Sequence, residues 1–205
     1  MARYRGPRLR IIRRLGELPG LTTKITKRTS LPGQHGAAAK KPSQYGIRLQ
    51  EKQKLRYHYG VKESQLMRYV KQAKRVRGST GEVLLQLLEM RLDNMIFRLG
   101  MAPTIQAARQ LVSHGHILVN GQKVDIPSFQ CKTRDTISVR QKKQSQELVK
   151  RNLDQKSANS EYRIPPHLSF NETNLVATVN TMVSRDWVGL QLNELLVVEF
   201  YSRKL

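Results

Sequence analysis

The clearest alternation of apolar and polar positions runs from Arg91 to Val139. Leu92, Met95, Ile96 and Leu99 are spaced as one face of a helix. Pro103 ends that pattern, since proline has no N–H to carry the ladder onward. Thr104 is placed to cap a second helix by accepting from an early backbone N–H. That helix buries Ile105, Ala108, Leu111 and Val112 and turns Gln106, Arg109, Gln110 and Ser113 outward. Gly115 suits a left-handed cap. His116 to Val119 then reads as a strand, and Asn120-Gly121 as a tight hairpin turn whose two residues take positive φ. Lys123 to Ile126 is the returning strand, and Thr136 to Val139 closes a small sheet.

Upstream, Ser79-Thr80-Gly81-Glu82 reads as a capping box launching VLLQLLEM, the most hydrophobic helix of the chain. Two helices precede it: Ile47 to Tyr59, stopped by Gly60, and Glu63 to Arg75 with Leu66, Val70 and Ala73 on one face. Downstream, Gln141 to Leu153 reads as helix, Pro165-Pro166 as a break and His167 to Phe170 as a strand. Leu175 to Val183 fits either a helix or a strand, and Leu195 to Tyr201 is a β-prone run. Residues 1–45 are weakly periodic, rich in Gly and Pro, and build no core alone.

Charge changes the picture. The 205 residues carry 37 Lys and Arg against 15 Asp and Glu, a formal net charge of +22. Residues 1–77 hold 21 of those cations and only three acids. Self-repulsion on that scale calls for a polyanion, and nucleic acid is the natural one. No apolar run approaches the ~20 residues of a membrane span. The single cysteine, Cys131, excludes an internal disulfide and a cysteine zinc cage. The Arg-rich N-terminus has Gly and Pro punctuation instead of an amphipathic helix, and is expected to be mature sequence.

The alternation ARQLVSHGHILVNG, with Ala108-Arg109, Gly115-His116 and Val119-Asn120-Gly121, resembles the S4 RNA-binding domain. Arg91-Leu92-Asp93-Asn94, the loop Pro32-Gly33-Gln34-His35-Gly36, EKQKLRYHYG at 51–60 and the terminus WVGLQLNELLVVEFYSRKL resemble the ribosomal protein S4 family, its chloroplast type especially. The resemblance spans essentially the whole chain. It implies an α+β fold: a helical N-terminal domain with an inserted S4 domain (two helices plus a small sheet) and a basic arm. The expected division is an arm at 1–45, a helical domain at 46–90 joined by 172–205, the S4 domain at 91–152 and a connecting segment at 153–171. The resemblance further implies direct binding to the 5′ domain of small-subunit rRNA, early assembly, a role in translational accuracy, contact with ribosomal protein S5, mRNA nearby and residence in a plastid ribosome. A bacterial cytoplasm is the alternative location. A free S4-domain regulator or an RNA-modifying enzyme is the alternative function.

The candidate RNA-binding residues follow from both readings. In the arm they are Arg3, Arg5, Arg10, Arg13, Arg14, Gly33, Gln34, His35 and Gly36, where arginine forks suit phosphate and glycines admit a close backbone approach. In the first helices they are Arg48, Lys52, Lys54 and Arg56. In the S4-like stretch they are Arg91, Arg98, Arg109, His114, Gly115, His116, Asn120, Lys123 and Lys132. Some family members hold zinc through cysteines in the arm, and this arm has none. Arg91-Leu92-Asp93 is similar to the catalytic Arg-Leu-Asp of pseudouridine synthases, yet the chain has no room for their separate catalytic domain. There is no phosphate loop of the nucleotide-hydrolase type, no Ser/His/Asp constellation and no carboxylate cluster. No catalytic residue, metal or cofactor is expected.

Overall fold

The computed structural model describes residues 4–28, 30–34, 36, 41–157 and 163–202. The chain divides into two compact units, residues 1–84 with 189–205, and residues 85–188.

The first unit is helical. α1 (Arg8–Leu15), α2 (Gln44–His58), α3 (Glu63–Arg75) and α8 (Glu194–Ser202) surround one core. Ser43 caps α2 by accepting from the Gly46 N–H at 3.1 Å. Leu55 and Tyr59 from the end of α2, Leu66, Val70 and Ala73 from α3, and Val197, Phe200 and Tyr201 from α8 are buried together with Leu18 and Leu21. Two expectations are corrected here. The arm contains a helix, α1, whose Leu15 is buried although four of its eight residues are arginines interleaved with the four apolar ones. The β-prone run Leu195 to Tyr201 is helical, because Asn193 caps it by accepting from Leu195 N–H at 3.1 Å and its apolar face packs on α2.

The second unit is α5 (Leu92–Arg98) packed on α6 (Ile105–Ser113), an antiparallel sheet, and α7 (Lys143–Ser157). α4 (Thr80–Glu89) leads into it. The sheet has the order β2-β1-β3-β5-β4, with β1 Ile117–Val119, β2 Gln122–Lys123, β3 Thr136–Val139, β4 Leu168–Asn171 and β5 Val176–Val179. Alternate residues point inward: Ile117 and Val119, Ile137 and Val139, Ala177 and Val179. Thr104 caps α6 through the Ala107 N–H at 3.2 Å, and Asn120 and Gly121 make the turn with φ of 50° and 79°. The returning strand is shorter than the pattern suggests, covering only Gln122 and Lys123. The segment 175–183 resolves as strand β5, and α7 begins two residues later than expected and runs on to Ser157. β5 pairs with β3, Ile137 opposite Ala177, and residues 189–205 group with the helical unit.

Candidate nucleic-acid interface

The cations predicted to meet RNA fall into two physical groups. One group is exposed. Arg5, Arg10 and Arg14 stand in solvent, with Lys24, Lys27, Arg28 and Lys41 further along the arm. Glu17 is the one acid among the first 50 residues of the chain. Little nearby charge of opposite sign competes for these side chains.

The turn after Gly33 is tight. Gly36 N–H donates to the Gly33 carbonyl at 3.2 Å, and a Cβ on Gly36 would lie 2.0 Å from the Leu31 carbonyl oxygen, so only glycine fits. Gln34 is exposed at its tip. Arg13 holds this loop: its guanidinium donates to the Ser30 carbonyl at 2.9 and 2.7 Å and to the Leu31 carbonyl at 3.3 Å. Arg13 is therefore a brace for the loop. Arg3 and His35 lie outside the described residues.

A second exposed group sits on the sheet unit. Gly115 has φ of 71°, and a Cβ there would lie 2.3 Å from Lys123 Cε, so the lysine stem lies directly over the His114-Gly115-His116 turn. The two imidazoles are 6.1 Å apart. His116 Nδ1 is 2.9 Å from Ser145 Oγ, which fixes the ring. Burial, with the charges of His114, Arg140 and Lys142, holds the His116 pKa below its ordinary value. Lys123, on the edge strand β2, and Lys132 are both exposed.

The other predicted residues spend their side chains on partners within the protein. Arg91 is fully buried, and its Nε and Nη2 donate to the Asp93 carboxylate at 3.0 and 2.7 Å. Arg109 was expected to point outward. Its Nε instead lies 3.3 Å from Asp93 Oδ2, and its side chain is only 12% exposed. Arg98 pairs with the buried Glu89 at 3.3 Å and donates to the Trp187 carbonyl. Asn120 spends both ends of its amide on structure, accepting from Thr136 N–H at 2.8 Å and donating to Asp135 at 2.9 Å. On α2, Lys52 is buried, donating to Glu63 at 2.9 Å and lying 4.8 Å over the Phe200 ring. Arg48 pairs with Glu199, Lys54 with Glu51, and Arg56 donates to Gln53, so each meets a neighbour while staying partly exposed. An isolated buried charge is too costly to be left without such partners, which is why the network forms.

The structure displays further exposed cations that the sequence reading did not single out. Arg68, Lys71 and Arg75 recur at three- and four-residue spacing on the open face of α3. That spacing was the signal available in the sequence. Cys131 is buried with its thiol pushed up to about 12, chiefly by burial, which makes it unreactive.

A helix pair, a small antiparallel sheet and a cationic turn between them define the second unit as an S4-type module. The family profile of the S4 domain matches residues 90–137, and that of the ribosomal protein S4/S9 N-terminal domain matches residues 3–89. Relatives match from end to end. The chain is 64% identical over 204 residues to small ribosomal subunit protein uS4c of Rhodomonas salina, covering all of both chains. It is 66% identical to uS4c of Oltmannsiellopsis viridis, across 99% of this chain and all of that one. It is 62% identical to uS4 of Microcystis aeruginosa, again over both full lengths. The chain belongs to the small-subunit ribosomal protein S4 family, a family of structural proteins and not of enzymes.

Proposed function

We propose that the protein binds small-subunit rRNA directly, through the 5′ domain, and helps to nucleate early assembly of the subunit. The reading rests above all on the arm and α1, where exposed Arg5, Arg10 and Arg14 stand in a stretch with a single acid. Release of condensed counterions by these cations supplies affinity. The sheet unit supplies shape, with His114, His116 and Lys123 set around one turn and Lys132 exposed elsewhere on the unit, against phosphates and ribose. Contribution to translational accuracy, contact with ribosomal protein S5 and a place with mRNA nearby complete the reading. The plastid ribosome is the proposed site, supported by uS4c relatives at 64% and 66% identity.

The test is titration of the protein against an isolated 5′-domain transcript with excess tRNA as competitor. Tight, saturable binding that survives the competitor is expected. Replacing Arg10 and Arg14 together by Gln is expected to lower the slope of log K against log salt by about 1.5, close to one unit per phosphate contact. Binding that tRNA competes away would reduce the interaction to generic polyanion attraction.

A further inference from the structure

A cleft of about 590 Å³ opens between α1, α2 and the Pro32-Gly33 turn. Its apolar walls come from Ile11 and Leu15 on α1 and from Leu49 and Tyr57 on α2. Gly46 also lines it, and the missing side chain keeps that end open. The Tyr57 ring meets Tyr4 at 75° with centroids 5.3 Å apart, and the Arg56 guanidinium lies 5.2 Å from its centroid. Arg13 holds the loop that forms the third wall. The cleft is thus built from braced parts.

Its chemistry is uneven in an informative way. Arg10 and Arg14 line it from one face of α1, four residues apart, and both are exposed. Gln50 and Gln53 line it from α2, and each side-chain amide carries both donor and acceptor capacity. Among the described residues no aspartate or glutamate lines it. The volume falls within the ~300–1,000 Å³ typical of small-ligand sites. It has room for one nucleotide and none for a duplex.

We propose that this cleft takes a single unstacked nucleotide of the bound RNA. The base lies on the Tyr57 and Leu49 walls, its edge meets the two glutamine amides, and its phosphate meets Arg10 and Arg14. Each part of a nucleotide finds a matching group: an aromatic and aliphatic surface for the ring, amides for the base edge, and arginine forks for the phosphate. Single-stranded bases splayed from a junction are the parts of RNA that proteins read in this way. The proposal rests on the reading of the protein as an rRNA binder.

The experiment uses the full chain and the 5′-domain transcript, with base-specific chemical modification of the RNA free and in complex. Leu49→Trp fills the cleft with an indole, and Gln50→Ala with Gln53→Ala removes the edge contacts. Circular dichroism checks that both variants keep their helical signal. With wild type, at least one unpaired base is expected to be shielded. In either variant that base regains at least about fivefold of its reactivity, the remaining protections persist, and affinity falls roughly five- to twentyfold. If Leu49→Trp loses its helical signal, the glutamine pair decides. Variants that bind with the wild-type modification pattern would overturn the cleft as a base site while leaving rRNA binding intact. A wild-type protein that leaves no protection anywhere would overturn both.

Discussion

Residues 1–84 with 189–205 hold 23 Lys and Arg against six Asp and Glu, and residues 85–188 hold 14 against nine. The larger contrast is in where those charges sit. In the helical unit most cations face solvent, and the ion pairs are partly open: Arg48 with Glu199, whose side chains are 21% and 51% exposed, is typical. In the sheet unit Arg91, Asp93 and Glu89 are all at most 1% exposed, and Arg109 and Arg98 close around them. The helical unit keeps most of its described cations outside, whereas the sheet unit, beside its exposed lysines, encloses a buried charge network. Residue type alone does not distinguish these uses; the partner acid does.

The largest expected effect tests the inner network. Arg91→Ala leaves the Asp93 carboxylate buried with the Arg109 guanidinium and the Asn94 N–H beside it but without its closest charge partner, and should cost about 3–5 kcal/mol of stability. Arg14→Ala, an exposed change in the other unit, should stay within about 0.5 kcal/mol. Urea unfolding of the two variants measures both. Equal midpoints would erase the distinction between the units.

Arg109→Glu comes next. The outward position expected from the helix stripe implied a pure loss of RNA affinity. With Arg109 Nε 3.3 Å from Asp93, the new carboxylate instead meets a buried one. A loss of about 2–4 kcal/mol is expected, below that of Arg91→Ala because the Arg109 side chain retains some solvent access. Arg109→Gln should lose about 1 kcal/mol, so comparing its RNA affinity with its unfolding midpoint separates binding from folding. A fully stable Arg109→Glu that binds weakly would restore the outward reading.

What the chain's letters reveal follows the same division. Local devices were legible: the Thr104 cap, the left-handed Gly115, the Asn120-Gly121 turn and the bounds of α3 each depend on a few adjacent residues. The α8 helix was hidden because Leu195 to Tyr201 is rich in β-branched and aromatic side chains, and packing on α2 overrides that preference. Its signal was Asn193, a good cap just ahead of the run. The inward arginines were hidden for another reason. Arg91 reaches a carboxylate two residues away, but Arg109 reaches the same group across 16 positions, and no local pattern encodes that meeting. The PGQHG stretch was legible as a loop, whereas the cleft beside it needs α1, which the arm's weak periodicity concealed.

A smaller effect belongs to the helical unit. Tyr201 donates to Glu63 Oε1 at 2.6 Å, and Lys52 donates to Glu63 Oε2 at 2.9 Å. Burial alone would raise the Glu63 pKa, but these two bonds and the Lys52 charge outweigh it and hold the carboxyl below its ordinary value. Tyr201→Phe should cost about 1–2 kcal/mol at neutral pH, through the lost bond and the less well paired carboxylate. Lys52 keeps the remaining oxygen satisfied, so the loss stays well under that of Arg91→Ala. A cost matching Arg91→Ala would mean that the helical unit also depends on a closed charge network.

The smallest effect separates the units by pH. His167 is buried in the sheet unit, and its Nδ1 meets no hydrogen-bond partner among the described residues. Burial, with the Arg98 charge, lowers its pKa to about 4. An unfolded histidine titrates near 6.5. Between those values the unfolded chain binds more protons, so stability falls as pH drops from about 6.5 toward 4. Glu63 acts lower: its contribution is complete above 4.5 and is lost as pH falls through its depressed pKa. Acid should therefore weaken the sheet unit first. The loss at about pH 5.5 should be roughly 1 kcal/mol or less after solvent screening, and His167→Gln should flatten the urea midpoint over that range. A wild-type midpoint already flat from pH 6.5 to 4.5 would mean that His167 takes up its proton without cost, and the two units would then respond to acid alike.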